Sequence, residues 1–114
     1  MIINKTSLEP FDFEGLEICD YTARRDTSSS LAEITIPSGV QHREAWSRRS
    51  DKYYYVVSGT VRFIVDGEAH QLDPGDCCIV LQGHRFSYEN TTTETAKIIL
   101  IHTPSFDLKS EVFV

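Results

Sequence analysis

Four histidines, at positions 42, 70, 84 and 102, are the groups in this chain best suited to moving a proton near neutrality. His42 is followed by Arg43 and Glu44, His84 stands two residues before Phe86 and four before Tyr88, and His102 ends the apolar run Ile98–Ile101. A tyrosine hydroxyl beside an imidazole supplies the complementary donor for acid–base work. A second grouping is electrostatic. The stretch 42–52 carries Arg43, Arg48, Arg49 and Lys52 against Glu44 and Asp51, a basic island in a chain of net charge −6. Guanidinium forks there suit a carboxylate or phosphate, or else they pair with acidic residues elsewhere on the surface or across a subunit contact. Trp46, the single tryptophan, serves either as a lid over a ligand or as an interface anchor.

The elements that must position these residues are short strands. Runs rich in Val, Ile, Tyr and Phe lie at 16–22, 31–36, 53–57, 60–65, 69–72, 77–81, 84–89 and 96–103, each bounded by turn residues. Asp66-Gly67 between two of them is a strong hairpin signal, and Asp73-Pro74-Gly75-Asp76 turns the chain again. The prolines at 10, 37, 74 and 104 fall at run edges, where a missing N–H does not interrupt a ladder. With no sustained helical period, the expectation is one all-β domain over 1–114, closed as a sandwich or barrel.

Charge and composition narrow the function classes. Acidic residues outnumber basic ones, 17 to 11, so no nucleic-acid partner is expected, and no apolar run approaches a membrane span. Met1–Thr6 lack the basic start and apolar stretch of an export signal, which points to a cytoplasmic protein. Cys19, Cys77 and Cys78 are odd in number and two are neighbours, so they read as small buried hydrophobes rather than a disulfide framework.

The succession Pro37-Ser38-Gly39, Tyr53–Gly59, Val65-Asp66-Gly67-Glu68, Leu72–Asp76, Gly83 and Asn90 resembles a single-domain cupin, a double-stranded β-helix or jelly-roll barrel. The likeness spans a barrel core of about 31–104, with N-terminal strands and a loop in 1–30 and a C-terminal tail in 105–114. That family commonly holds a metal on two His and a Glu of its first motif and one His of its second. Here the Glu position falls at Lys52, the His-x-His positions at Trp46 and Arg48 or at Ala45 and Ser47, and the second-motif His at Phe86. No cofactor is therefore expected at the usual positions, since an ammonium only donates and adds like charge. A shifted divalent site on His42, Glu44 and His84 is the alternative, His42 and Glu44 sharing one face of an extended segment.

If the strand from Lys52 keeps the family's orientation, Lys52, Tyr54 and Val56 face the lumen, and His84, Phe86 and Tyr88 face it from another strand. The resulting expectation is a small-molecule-binding barrel for an anionic or sugar-like ligand, with Arg48 and Lys52 on its charge and Tyr54, Phe86 and Tyr88 around its body. His84, Trp46 and His102 are further candidates, although a lone histidine beside apolar residues, such as His102, is more often a satisfied core or rim residue than a catalyst. The enzyme alternatives are a metal-dependent oxygenase or isomerase on His42, Glu44 and His84, and a metal-free sugar isomerase or epimerase using a His/Tyr pair. Tyr53 and Tyr55 alternate with the lumen set, and the resemblance implies a homodimer through that outer face.

Overall fold

In the computed structural model, which describes residues 1–114, the chain forms eleven strands in two antiparallel sheets facing each other, the jelly-roll arrangement. The strands are β1 (Phe11–Phe13), β2 (Leu16–Asp20), β3 (Ser30–Ile36), β4 (Gln41–Ser47), β5 (Asp51–Ser58), β6 (Val61–Val65), β7 (Glu68–Leu72), β8 (Cys77–Val80), β9 (Phe86–Glu89), β10 (Ala96–Thr103) and β11 (Glu111–Phe113). One sheet has the order β1-β2-β3-β10-β5-β8 and the other β11-β4-β9-β6-β7. Short 3-10 turns occupy Lys5–Ser7 and Leu108–Ser110, and no helix is long and apolar enough to cross a membrane.

Alternation along β5 and β10 builds the inside of the barrel. Lys52, Tyr54 and Val56 on β5 and Ile98, Leu100 and His102 on β10 are buried, while their sequence neighbours face outward. Antiparallel register turns these into rows across the sheet: Ser30, His102, Lys52 and Val80 form one, and Ala32, Leu100, Tyr54 and Cys78 the next. The opposing sheet contributes Ala45, Phe63, Phe86 and Tyr88 to the same core, which closes below the site around Ile36, Val56, Val61 and Ile98. Asn90 fastens the base. Its amide donates to the carbonyls of Ile36 and Glu94 and its oxygen accepts from Thr92.

Three strands lie outside the runs read from the sequence: β1 and β11, each too short at three residues to show a period, and β4, whose residues Gln41–Ser47 are mostly polar. The basic stretch 42–52 is strand apart from residues 48–50, and a register shift between His42 and Ala45 marks a bulge in its pairing with β9. A bulge reverses the alternation beyond it. His42 and Ala45 therefore both face inward, while Arg43 and Glu44 lie exposed.

Candidate functional site

The residues facing the open end of the barrel enclose a cavity of about 380 Å3. Its polar groups are His42 from β4, Lys52 and Tyr54 from β5, Tyr88 from β9, His102 from β10 and Glu111 from β11. Aromatic side chains supply most of the wall. Phe13, Phe86, Tyr88 and Phe113 surround the His42 ring with centroid separations of 5.6, 5.2, 5.0 and 6.3 Å. A cavity with apolar walls and few convergent polar atoms suits a small organic ligand.

The proton inventory is specific. His42 Nδ1 lies 2.6 Å from the carbonyl of Arg43, and a carbonyl only accepts, so the proton resides on Nδ1 and Nε2 keeps its lone pair. Burial, aided by the Lys52 charge, lowers the His42 pKa from 6.5 to about 4, so the ring is a neutral base at physiological pH. The Tyr88 hydroxyl is buried without a hydrogen-bond partner, and burial raises its pKa, which keeps it protonated as a donor. His102 Nε2 is likewise buried and unpartnered, and burial pushes this ring down to about 3. Desolvation also pulls Lys52 below the usual lysine value, against the attraction of Glu111, with which it forms a buried ion pair. The Lys52 ammonium sits 4.7 Å from the centroid of the Phe86 ring.

These placements separate the residues expected from the sequence. Lys52, Tyr54, Tyr88 and His102 line the cavity, and Phe86 packs directly behind them. Lys52, however, is neutralised by Glu111 rather than held free for a ligand's charge. Arg48 does not enter the lumen; it lies exposed with its guanidinium 5.2 Å from the centroid of the Trp46 ring, on the outer side of β4. The lumen-facing position expected for His84 is also corrected. The strand begins only at Phe86, and His84 lies in the preceding turn, half-exposed, 2.6 Å from Asp66.

The alternative metal set fails on the same geometry. The bulge turns Glu44 outward, where it lies 3.7 Å from Arg85, and His84 pairs with Asp66. At the family's usual ligand positions stand an ammonium, a phenyl ring and the side chains of β4, a donor set that does not fit a divalent ion. No three His, Cys, Asp or Glu side chains gather as a metal site. Phe11, Phe13, Phe106, Leu108, Glu111 and Phe113 complete the cavity without having been anticipated. Their sole sequence signal is a concentration of phenylalanines at the two ends of the chain.

The comparisons agree with this architecture. The Cupin domain family model matches residues 32–102. Tetracenomycin polyketide synthase protein TcmJ of Streptomyces glaucescens is 30% identical over 78 residues, which cover 68% of this chain and 52% of that protein; the chain thus matches about half the length of this curated relative. Pac13, described as a nucleoside dehydratase, superimposes with a TM-score of 0.88 at 24% identity, covering 100% of this chain and 90% of its own. Streptomyces Pac13 variants with one histidine or one tyrosine replaced have been solved with uridine, the histidine variant matching at 25% identity, a TM-score of 0.85 and 97% and 88% coverage. KdgF from Halomonas sp. matches at 18% identity and a TM-score of 0.83, covering 94% of this chain and 96% of its own.

Proposed function

We propose that this chain, which belongs to the cupin family, is an acid–base catalyst that binds a small sugar-bearing molecule, nucleosides foremost, inside its barrel. The observation that carries this reading is a neutral imidazole and an unpartnered tyrosine hydroxyl side by side in one aromatic cavity. His42 Nε2 takes a proton from a carbon made acidic by a neighbouring carbonyl. The electron pair left behind forms a double bond, and the departing hydroxyl leaves as water with a proton supplied through Tyr88. In an isomerisation the same pair returns the proton to a different atom. The Lys52 charge adds to burial in lowering the His42 pKa, while Lys52 itself stays paired with Glu111. Aromatic walls suit the planar face of a nucleobase, and Pac13, with its histidine and tyrosine variants solved with uridine, makes nucleosides the first substrates to try.

The test is incubation with uridine, its 5′-aldehyde, uronates and keto sugars in deuterated buffer. Binding is read by saturation-transfer NMR, and proton removal by loss of a carbon-bound proton signal. Wild-type protein is expected to bind and to exchange or dehydrate at least one of them. His42→Gln is expected to retain binding while losing at least about 100-fold in rate. Absence of binding overturns the reading. Binding without exchange or turnover removes catalysis and leaves a small-molecule-binding module.

A further inference from the structure

Three buried side-chain polar atoms in the whole chain lack a hydrogen-bond partner: the Tyr88 hydroxyl, His102 Nε2 and Thr27 Oγ1. A buried polar atom left unpaired is unfavourable, and these three are not scattered. Tyr88 lines the main cavity. His102 lines both that cavity and an adjoining apolar slot of about 90 Å3, and Thr27 lines a third, polar cavity of about 280 Å3 beyond the slot. The slot shares Ile34, Leu100 and His102 with the main cavity and Asp20 and Ser30 with the polar one, while Phe106 lines all three.

The polar cavity is positively charged. Arg24 and Arg25 both line it, and neither guanidinium forms an ion pair; the one polar contact of the Arg25 guanidinium is the Met1 sulfur at 3.4 Å. Asp20, on the same wall, accepts from the Thr22 amide and hydroxyl, which leaves two cations against one engaged carboxylate. Arg24 holds a left-handed backbone conformation, φ +61°, in a turn closed by the Arg25 amide on the Thr22 carbonyl. In the main cavity, by contrast, the Lys52 charge is already answered by Glu111.

We propose that the ligand is longer than the main cavity and ends in an anionic group, phosphate or carboxylate, held by Arg24, Arg25 and the Thr27 hydroxyl. Its connecting atoms pass Phe106 and accept or donate a hydrogen bond at His102. Guanidinium forks match both oxyanions, and the hydroxyl adds a neutral donor. This inference rests on the reading of the main cavity as the site of a sugar-bearing molecule, and names the rest of that molecule.

Isothermal titration of the full chain with uridine, uridine 5′-monophosphate, uridine 5′-carboxylate and inorganic phosphate tests it at low and high salt. The expected result is that one of the two anionic nucleosides binds about tenfold or more tighter than uridine, with the advantage shrinking in salt. Arg24→Gln/Arg25→Gln is expected to erase that advantage and leave uridine affinity unchanged, which also shows the variant to be folded. The stronger of the two anions identifies the tail. Uridine binding with no gain from either anion, or a gain that survives the double substitution, overturns the anionic tail and leaves the proposed function standing. Failure of uridine and both anionic nucleosides to bind overturns the anionic tail together with the choice of nucleosides for the main cavity.

Discussion

At the scale of single residues, His42 is set apart by its surroundings rather than by its neighbours in sequence. A ring held neutral by burial, with Nδ1 committed to a carbonyl, acts as base over a wide range. The rate of any proton abstraction at this site is predicted to stay flat from about pH 8 to pH 5 and to fall only towards about pH 4, as Nε2 takes a proton. A pH–rate profile with its acid limb near 6.5 contradicts this. Tyr88→Phe removes only the hydroxyl and is predicted to lower the rate by about 100-fold with little loss of stability, because that oxygen has no partner to abandon. Stability carries the same signature. His42 and His102 have native pKa values depressed to about 4 and about 3, against 6.5 for an ordinary histidine. Below pH 6.5 the unfolded chain therefore binds protons that the native chain refuses, and stability present above that pH is lost as the pH falls towards 4. The slope is about 1.4 kcal/mol per pH unit for each histidine, so urea midpoints should drop between pH 7 and 5, and a flat profile sinks the assignment. Tyr54, Phe86 and Tyr88 were legible in the sequence because simple alternation places them inward. His42 was not distinguished from the other histidines as a base, and was singled out only in the metal set, because alternation without a bulge pairs it with Glu44.

Among the elements, the C-terminal segment was the least legible and holds one side of the site. Glu111–Phe113 is too short to show a period, yet it pairs with β4 and delivers Glu111 to Lys52 and Phe113 to the His42 ring. Removing one member of a buried ion pair strands the other without solvent. Lys52→Met is accordingly predicted to destabilise the fold by about 3–5 kcal/mol, and Lys52→Met/Glu111→Met to recover most of that loss. Equal losses in the single and double variants, measured by urea titration, exclude a coupled pair. The turns were legible for a plainer reason: glycine is the residue that adopts a left-handed backbone without strain. Gly59 at φ +77° also faces the backbone of β10, and a Cβ there would come within 2.7 Å of Ala96 Cα, whereas Gly67 at φ +81° faces open space. Gly59→Ala should therefore cost about 3 kcal/mol or more and Gly67→Ala only about 1 kcal/mol. Similar melting points for the two variants refute the close-approach argument.

For the whole molecule, what remains unsatisfied is the outer face of the six-stranded sheet. Tyr53, Tyr55 and Val57 on β5 and Ile79 on β8 are exposed beside Ile99 and Ile101 of β10, in register across three adjacent strands. Exposed apolar surface of that extent on a small domain marks an interaction face. On the β3 side of this face Glu33 is paired, lying 2.6 Å from Lys5 and 3.5 Å from Lys97. An apolar face of this kind suits a second copy of itself, and a homodimer through this face is the predicted assembly. Light scattering at tens of micromolar should return the mass of two chains. Tyr55→Asp, which places a carboxylate at the centre of the face and touches nothing inside the barrel, should return one chain while leaving uridine affinity unchanged. A monomeric wild-type protein at that concentration, or a dimer that Tyr55→Asp does not disturb, rules this face out as the contact. With the dimer on its outer side, the sheet has two separate roles, and ligand chemistry is confined to the inner rows that β5 shares with β10.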